Sequence, residues 1–469
     1  MTMKISPEKI PALIEWIERN WHKKTALILS ILIVFVVSYW VIGFILKDSN
    51  YKLINEYLWL IQLSFGTLFS FIITILWFNS NKYPRRKNNS LIGLVIAIRS
   101  NTEKAKRVQQ DVVDKFRQII SKVQSADIID LIVLRDVHAK RVIDKRSAIE
   151  ISDKCNAHFV VWGKSLSYEH DASEQYKFDP DFLVRHKPLE PQQRNLIVRA
   201  FEESCNNRQW EFLEKDVFKG INTTAENIRE IAFYVIGIAA FLSSDYETSL
   251  KLHNDLYQLL ESDSSERKKL ILLYKRLKLW ISDSYMLLSI SSYYEKKDPK
   301  DAYSLIEKSL NFHPNHQGAM TCKAQYEFSL GRTGPAKNTI KQIESLIKKE
   351  GSSGDAWLYS KAFLYFFDED YEKGSIAYKR AFDGKVSERV VDSVVLFIQE
   401  YLVENPQKIQ FLYVLGVLFY LKKMNLPEAL IQFEEFILLS DGNKNFIKPR
   451  DKARKYTEEI KSKLEIKED

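Results

Sequence analysis

Cysteine is scarce. Cys155, Cys205 and Cys322 lie far apart, with no CxxC pair and no Cys/His spacing, so neither a zinc site nor a disulfide framework is expected and a reducing compartment is. Glycine and proline are thin too, 15 and 12 in 469 residues, while Leu, Ile, Lys and Glu abound, a balance that favours helix. No GxGxxG occurs, and no GxxxxGK followed by Ser or Thr, so a dinucleotide fingerprint and a P-loop are both missing. No nucleophile constellation, carboxylate pair or metal cluster stands out; the expectation is no enzyme, no metal and no cofactor. The net charge of +8 is modest, and most Lys and Arg alternate with Asp and Glu. That pattern describes solvated helix surface and excludes nucleic acid as the expected partner.

What is present begins with two runs without charge. Ala26 to Leu46 is bounded by Lys23-Lys24 and Lys47, and Tyr57 to Phe78 by Glu56 and Lys82. Each meets the roughly 20 residues needed to cross a hydrocarbon core. They predict transmembrane helices over 25–47 and 57–79, with the bilayer as a partner. A signal peptide would carry a shorter apolar stretch and a small-residue cleavage site, whereas the first run ends in Trp40-Val41-Ile42-Gly43-Phe44. Lys4, Lys9, Arg19, Lys23 and Lys24 precede the first run, and Lys82, Arg85, Arg86 and Lys87 follow the second. The connector offers only Lys47 and Lys52, so both termini are expected in the cytoplasm of a two-pass inner-membrane protein. No ionisable residue lies inside either run, which argues against a transporter. Gly66, Ser70 and Thr74 recur every four residues, a spacing that lets helices approach closely, either within the hairpin or in a homo-oligomer. Ile10, Leu13, Ile14 and Ile17, with Trp16 and Trp21 nearby, predict an amphipathic segment within 1–24.

After a polar linker, Ser80 to Ser90, the pattern changes. Leu91–Ile98, Ile128–Leu134 and His158–Trp162 are apolar runs of the kind found in strands buried on both faces. Helical patterns over Thr102–Val123 and Val137–Lys154 separate them. Alternation of this sort predicts a small parallel, Rossmann-like α/β sheet over 90–185. Ligands of such sheets sit beyond the carboxyl ends of the strands, which makes Ser100, Asn101, Thr102, Arg135, Asp136 and Lys164 the candidate ligand residues. Ser100 and Glu103 also stand in capping-box spacing, the structural alternative for the first of these ends. The stretch Ala148 to Lys164, ending Asn156-Ala157-His158-Phe159-Val160-Val161-Trp162-Gly163-Lys164, resembles TolB-amino-terminal-like domains, which in some bacterial proteins precede tetratricopeptide repeats. That resemblance carries over Gly163 alone, as a structural position.

Over 200–469 the signal is repetition. Ala302 with Ile306 and Pro314, Ala336 with Ile340, Gly374 with Tyr378 and Ala381, and Ala429 with Phe433 each place a small residue four positions before an apolar one. A divergent unit with Gly237, Asp245-Tyr246 and Ser249 precedes them. The interval from Ala302 to Ala336 equals the 34-residue period of the tetratricopeptide (TPR) family. The chain resembles that family across about half its length, with roughly five units and an extra helical segment over Val386–Val403. The resemblance implies an all-α solenoid whose inner surface binds a protein or peptide, and puts Tyr294, Phe328, Tyr359, Phe363, Phe366 and Leu418 on that surface. Leu287 and Ser291 stand where a carboxylate clamp needs basic or amide side chains, so that subtype is disfavoured.

A membrane hairpin, an α/β domain and a TPR solenoid together imply a cytoplasmic scaffold or receptor anchored at the inner membrane. The alternative, from another class, is an oligomerising membrane effector of bacterial defence or stress response whose α/β domain senses a ligand. Reporters active on one side only, fused at residues 1 and 469, should both give the cytoplasmic signal; an external signal from either would overturn the topology.

Overall fold

The computed structural model describes residues 13–17, 21, 24–46, 57–88, 91–170, 173–185, 210–350, 355–384 and 386–465. Ile10, the flanking cations Lys4, Lys9, Arg19 and Lys23, the connector Lys47 to Glu56, and Cys205 lie outside them. The chain forms two compact units, Met1–Ser243 and Ser244–Asp469.

The first unit opens with α1 (Lys24–Leu46) and α2 (Leu58–Asn81), both long and apolar enough to cross a membrane. They pack on one another. A Cβ at Gly66 would lie 2.9 Å from the Phe35 ring, so this glycine sets the approach of the two helices. Ser70 and Thr74 donate their hydroxyls to the carbonyls of Gly66 and Ser70 one turn earlier. At the far end the Trp21 indole donates to Ser80 Oγ and the Trp77 indole to the Trp21 carbonyl.

The α/β elements are β1 (Ile92–Ser100), α3 (Glu103–Ile120), β2 (Ile129–Val133), α4 (Asp136–Ala139), α5 (Lys145–Cys155), β3 (Phe159–His170), β4 (Ser173–Val184), β5 (Glu211–Leu213) and α6 (Val217–Leu242). The sheet order is β2-β1-β3-β4-β5. Strands β1 to β3 are parallel, as the three apolar runs imply. The sheet as a whole is mixed, because β3 continues to His170 and β4 and β5 pair antiparallel beyond it. Gly163 makes this possible: its φ is +147°, and a Cβ there would strike the Asp179 carbonyl of β4. Two further expectations change. The helix over Val137–Lys154 is two, because Asp144 takes extended backbone and caps α5 reciprocally with Ser147. The cap of α3 is Thr102, which accepts from the Ala105 amide, and Ser100 remains in β1.

The second unit is helical. It contains α7 (Tyr246–Ser262), α8 (Ser264–Lys269), α9 (Ile271–Tyr294), α10 (Pro299–Phe312), α11 (Gln317–Ser329), α12 (Thr333–Glu350), α13 (Trp357–Phe367), α14 (Tyr371–Asp383), α15 (Glu388–Glu404), α16 (Gln410–Leu418), α17 (Leu426–Leu439) and α18 (Ile447–Glu465). A π-helical turn, Phe419–Lys423, follows α16. Helices α9/α10, α11/α12, α13/α14 and α16/α17 pack as successive pairs.

One loop chemistry recurs before the second helix of each pair and before α7. Ser244, Lys297, Gly331, Glu369 and Met424 all have positive φ. The next residue usually caps the coming helix: Asp245, Asp298, Asp370 and Asn425 each accept from a backbone amide two or three positions on. Arg332 stands there in the third loop, after the only glycine of the set. Backward amide bonds close the preceding helix, as from Arg332 to Glu327 (2.8 Å) and Asp370 to Tyr365 (2.9 Å). Five positions after each turn comes a small buried residue: Ser249, Ala302, Ala336, Gly374 and Ala429. Helix α8 lies between Ser249 and Ala302 and α15 between Gly374 and Ala429, which lengthens those two intervals beyond the 34 residues from Ala302 to Ala336. Ala336→Asp places a charge where no solvent reaches and should cost about 3 kcal/mol or more. A urea midpoint unchanged from wild type would show that Ala336 is not at a helix contact.

Candidate functional site

The polar strand ends of the first unit do not assemble into a site. Thr102 is occupied as the cap of α3 and shares a hydrogen bond with Ser167 Oγ (2.7 Å). Asn101 clasps the same residue, accepting from the Ser167 amide (3.1 Å) and donating to its carbonyl (3.3 Å). Ser100 pairs with Ser165 in the sheet. Asp136 lies 3.8 Å from Lys106, Arg135 precedes α4 with no side-chain cap, and Lys164 projects exposed opposite Asp179. Asn101 and Thr102 thus fix the β1–α3 loop to β3, Ser100 and Asp136 are half-buried, and Arg135 and Lys164 are exposed. Among the described residues no group of His, Cys, Asp and Glu could hold a metal ion.

In the second unit the first helices of three successive pairs, α9, α11 and α13, line a cavity of about 520 Å³. Helix α9 contributes Met286, Leu287, Ile290 and Tyr294; α11 contributes Thr321, Cys322, Gln325 and Phe328; α13 contributes Tyr359, Ser360 and Phe363. The fourth wall is the interposed α15, through Val390, Val394, Phe397 and Ile398. Aromatic contacts join it to the pairs. The Phe363 ring lies 4.9 Å from Phe328, 5.0 Å from Phe397 and 4.6 Å from Phe411, and Tyr401 of α15 packs 5.5 Å from it. Ion pairs hold both ends of α15, Lys297 to Glu400 at one and Lys423 to Glu388 and Asp392 at the other. Such exposed pairs add little energy, so burial of Val391, Val395 and Ile398, with the half-buried stripe Val390, Val394, Phe397 and Tyr401 beside them, is what seats the helix.

The cavity carries no charge. No Asp, Glu, Lys, Arg or His lines it. Burial pushes the Cys322 thiol up to about 11 and the phenols of Tyr294 and Tyr359 up to about 12, so all three stay neutral at physiological pH. A thiol held protonated is not an activated nucleophile. The polar handles are few: Gln325 Nε2 donates to the Tyr294 hydroxyl (2.8 Å), leaving that O–H proton available, and Thr321 donates within its own helix. This arrangement can enclose a neutral, largely apolar group and orient it by one or two hydrogen bonds.

Four of the six residues expected on the inner surface, Tyr294, Phe328, Tyr359 and Phe363, line this one cavity. Helix α15 stands beside them as a further wall: Tyr359 and Phe363 are buried, while Tyr294 and Phe328 stay half-buried. Phe366 and Leu418 are core. The Phe366 ring fills the space left by the missing side chain of Gly374 and packs on Tyr371 and Tyr378, and Leu418 is fully buried just before the π turn. Sequence reasoning placed Leu287 at a clamp position but missed α9's Met286 and Ile290 and the stripe of α15. The 4-3-4 spacing of Val390, Val394, Phe397 and Tyr401 was the available signal.

No protein-family model matches the chain, and no curated protein matches it.

Phe366→Ala should lower the unfolding free energy by about 3–5 kcal/mol, the usual cost of emptying a packed aromatic site. Ser360→Ala, on the half-buried cavity wall, should change it by less than about 0.5 kcal/mol. Equal losses in urea titrations would contradict the division between core and cavity.

Proposed function

We propose that this chain is a membrane-anchored binding protein that recruits a partner through the uncharged cavity of its helical pairs. In this account α1 and α2 span the inner membrane with both termini in the cytoplasm. The pairs are TPR-type repeats, and the α/β domain joins them to the anchor without catalysis. The observation that carries the reading is convergence. Four inner-face residues from three successive repeats meet at one cavity, whose volume lies within the roughly 300–1,000 Å³ typical of ligand sites. A partly open, neutral, aromatic-rich pocket suits one or two apolar side chains of a protein partner, the kind of anchor that dominates interfaces. An acidic tail would leave its charge unpaired there. The strand ends, where Asn101 and Thr102 are engaged with Ser167, border no cavity of the same kind among the described residues and give the ligand-sensing alternative less support.

The test is affinity purification from solubilised membranes with wild type and Ser360→Trp, which fills the cavity from its wall. A protein recovered with wild type and depleted at least tenfold with the variant, at unchanged thermal stability, supports the reading. Equal recovery contradicts it. Native mass spectrometry that finds a neutral small molecule and no protein, lost in Ser360→Trp, would replace protein recruitment with ligand binding at the same cavity.

A further inference from the structure

In the first unit the residues that follow α2 and the α4–α5 loop, more than fifty positions later in the chain, are held side by side. Arg141 donates to Asn81 Oδ1 (3.1 Å), the last residue of α2, and to the Tyr83 hydroxyl (2.9 Å). The Tyr83 ring packs 4.3 Å from buried His138, and Arg141 and Lys154 both lie over that ring. Arg86 and Lys87 fasten the rest of the linker, through the Leu91 carbonyl and through Asp130. The joint is therefore built, and it fixes residues 138–141 beside the end of the second apolar helix. Trp21 and Trp77, hydrogen-bonded to that same end, have the placement of side chains that sit at headgroup level.

Around this joint six exposed cations gather: Lys82, Arg85, Lys87, Lys140, Lys145 and Arg146. None of them makes an ion pair among the described residues, while Asp136 is drawn to Lys106 and Asp144 is engaged as the cap of α5. Among them Ile143 stands 60% exposed. It is two residues from Arg141, hence within about 7 Å along the chain of a side chain that touches the end of α2. An exposed aliphatic side chain in a loop that carries the exposed cations Lys140, Lys145 and Arg146, tied to the end of an apolar helix, matches an anionic lipid surface in both charge and polarity. Electrostatic attraction to such a surface fades within a Debye length of about 10 Å, and the joint keeps the loop within reach.

We propose that the α4–α5 loop is a second membrane contact, which docks the α/β domain on anionic lipid headgroups through Lys140, Lys145, Arg146 and Ile143. The proposal rests on the membrane-anchored reading above and adds that the domain lies against the bilayer.

The experiment is hydrogen exchange on the full chain in nanodiscs of phosphatidylcholine alone, of phosphatidylcholine with phosphatidylglycerol, and of phosphatidylcholine with free inorganic phosphate. Amides of residues 137–149 should exchange at least threefold more slowly with phosphatidylglycerol than in the other two. The triple variant Lys140→Glu, Lys145→Glu, Arg146→Glu should lose that difference while its β1 and β3 amides stay protected as in wild type. Equal exchange in all three preparations would overturn the lipid contact while leaving the anchor intact. Protection by free phosphate alone would replace a surface with a soluble anion site. A chain that stays outside the nanodiscs would defeat the membrane reading itself.

Discussion

The second unit depends on one steric constraint, the small residue five positions after each left-handed turn. At Ser249, Ala302, Ala336, Gly374 and Ala429 the side chain is no larger than a hydroxymethyl, and each position is buried. Where that residue is glycine, the Phe366 ring occupies the place a Cβ would take. Close helix approach at these points fixes how the two members of a pair cross, and the capped turn before them fixes where the second helix starts. With pairs of one geometry in succession, the first helices α9, α11 and α13 fall side by side. The cavity is a consequence of that alignment.

Alignment alone would leave an open apolar surface, which in water invites unwanted association. The interposed α15 resolves this by laying its own apolar stripe across the aromatic residues of α11 and α13. What is left is a partly open volume with neutral walls, since burial holds Tyr294, Tyr359 and Cys322 in their protonated forms. The Tyr294–Gln325 hydrogen bond is one polar element of the lining, and a charged group entering would lose its hydration without finding a counter-ion.

Much of this was legible in the chain, for identifiable reasons. Continuous apolar runs named β1 to β3 because strands covered on both faces leave no room for polar alternation. The small-residue repeats located the helix pairs because sterics at a contact tolerate few residue types. Strand β4 was not legible: with Pro180 and the charged Glu174, Lys177 and Asp179 it lacks a continuous apolar run, and it is defined by pairing along the extended β3. The break at Asp144 was hidden because a capping aspartate inside a helical pattern resembles any surface acid. Phe366 and Leu418 were placed on the inner surface because α13 and α16 are buried on nearly every side, so periodicity cannot tell one buried face from another. The four residues that do line the cavity were found by repeat register, and the wall contributed by α15 was not, because an insertion obeys no register.

The account turns on whether a partner's atoms enter the cavity when the chain is in its membrane. Site-specific photocrosslinking measures this directly, with a benzoylphenylalanine at Tyr294 and, as a control in the same unit, at Leu438 of α17, which is 76% exposed. The account predicts a discrete protein adduct from position 294 in intact membranes and none from position 438. No protein adduct from 294, or the same adducts from both positions, would contradict it.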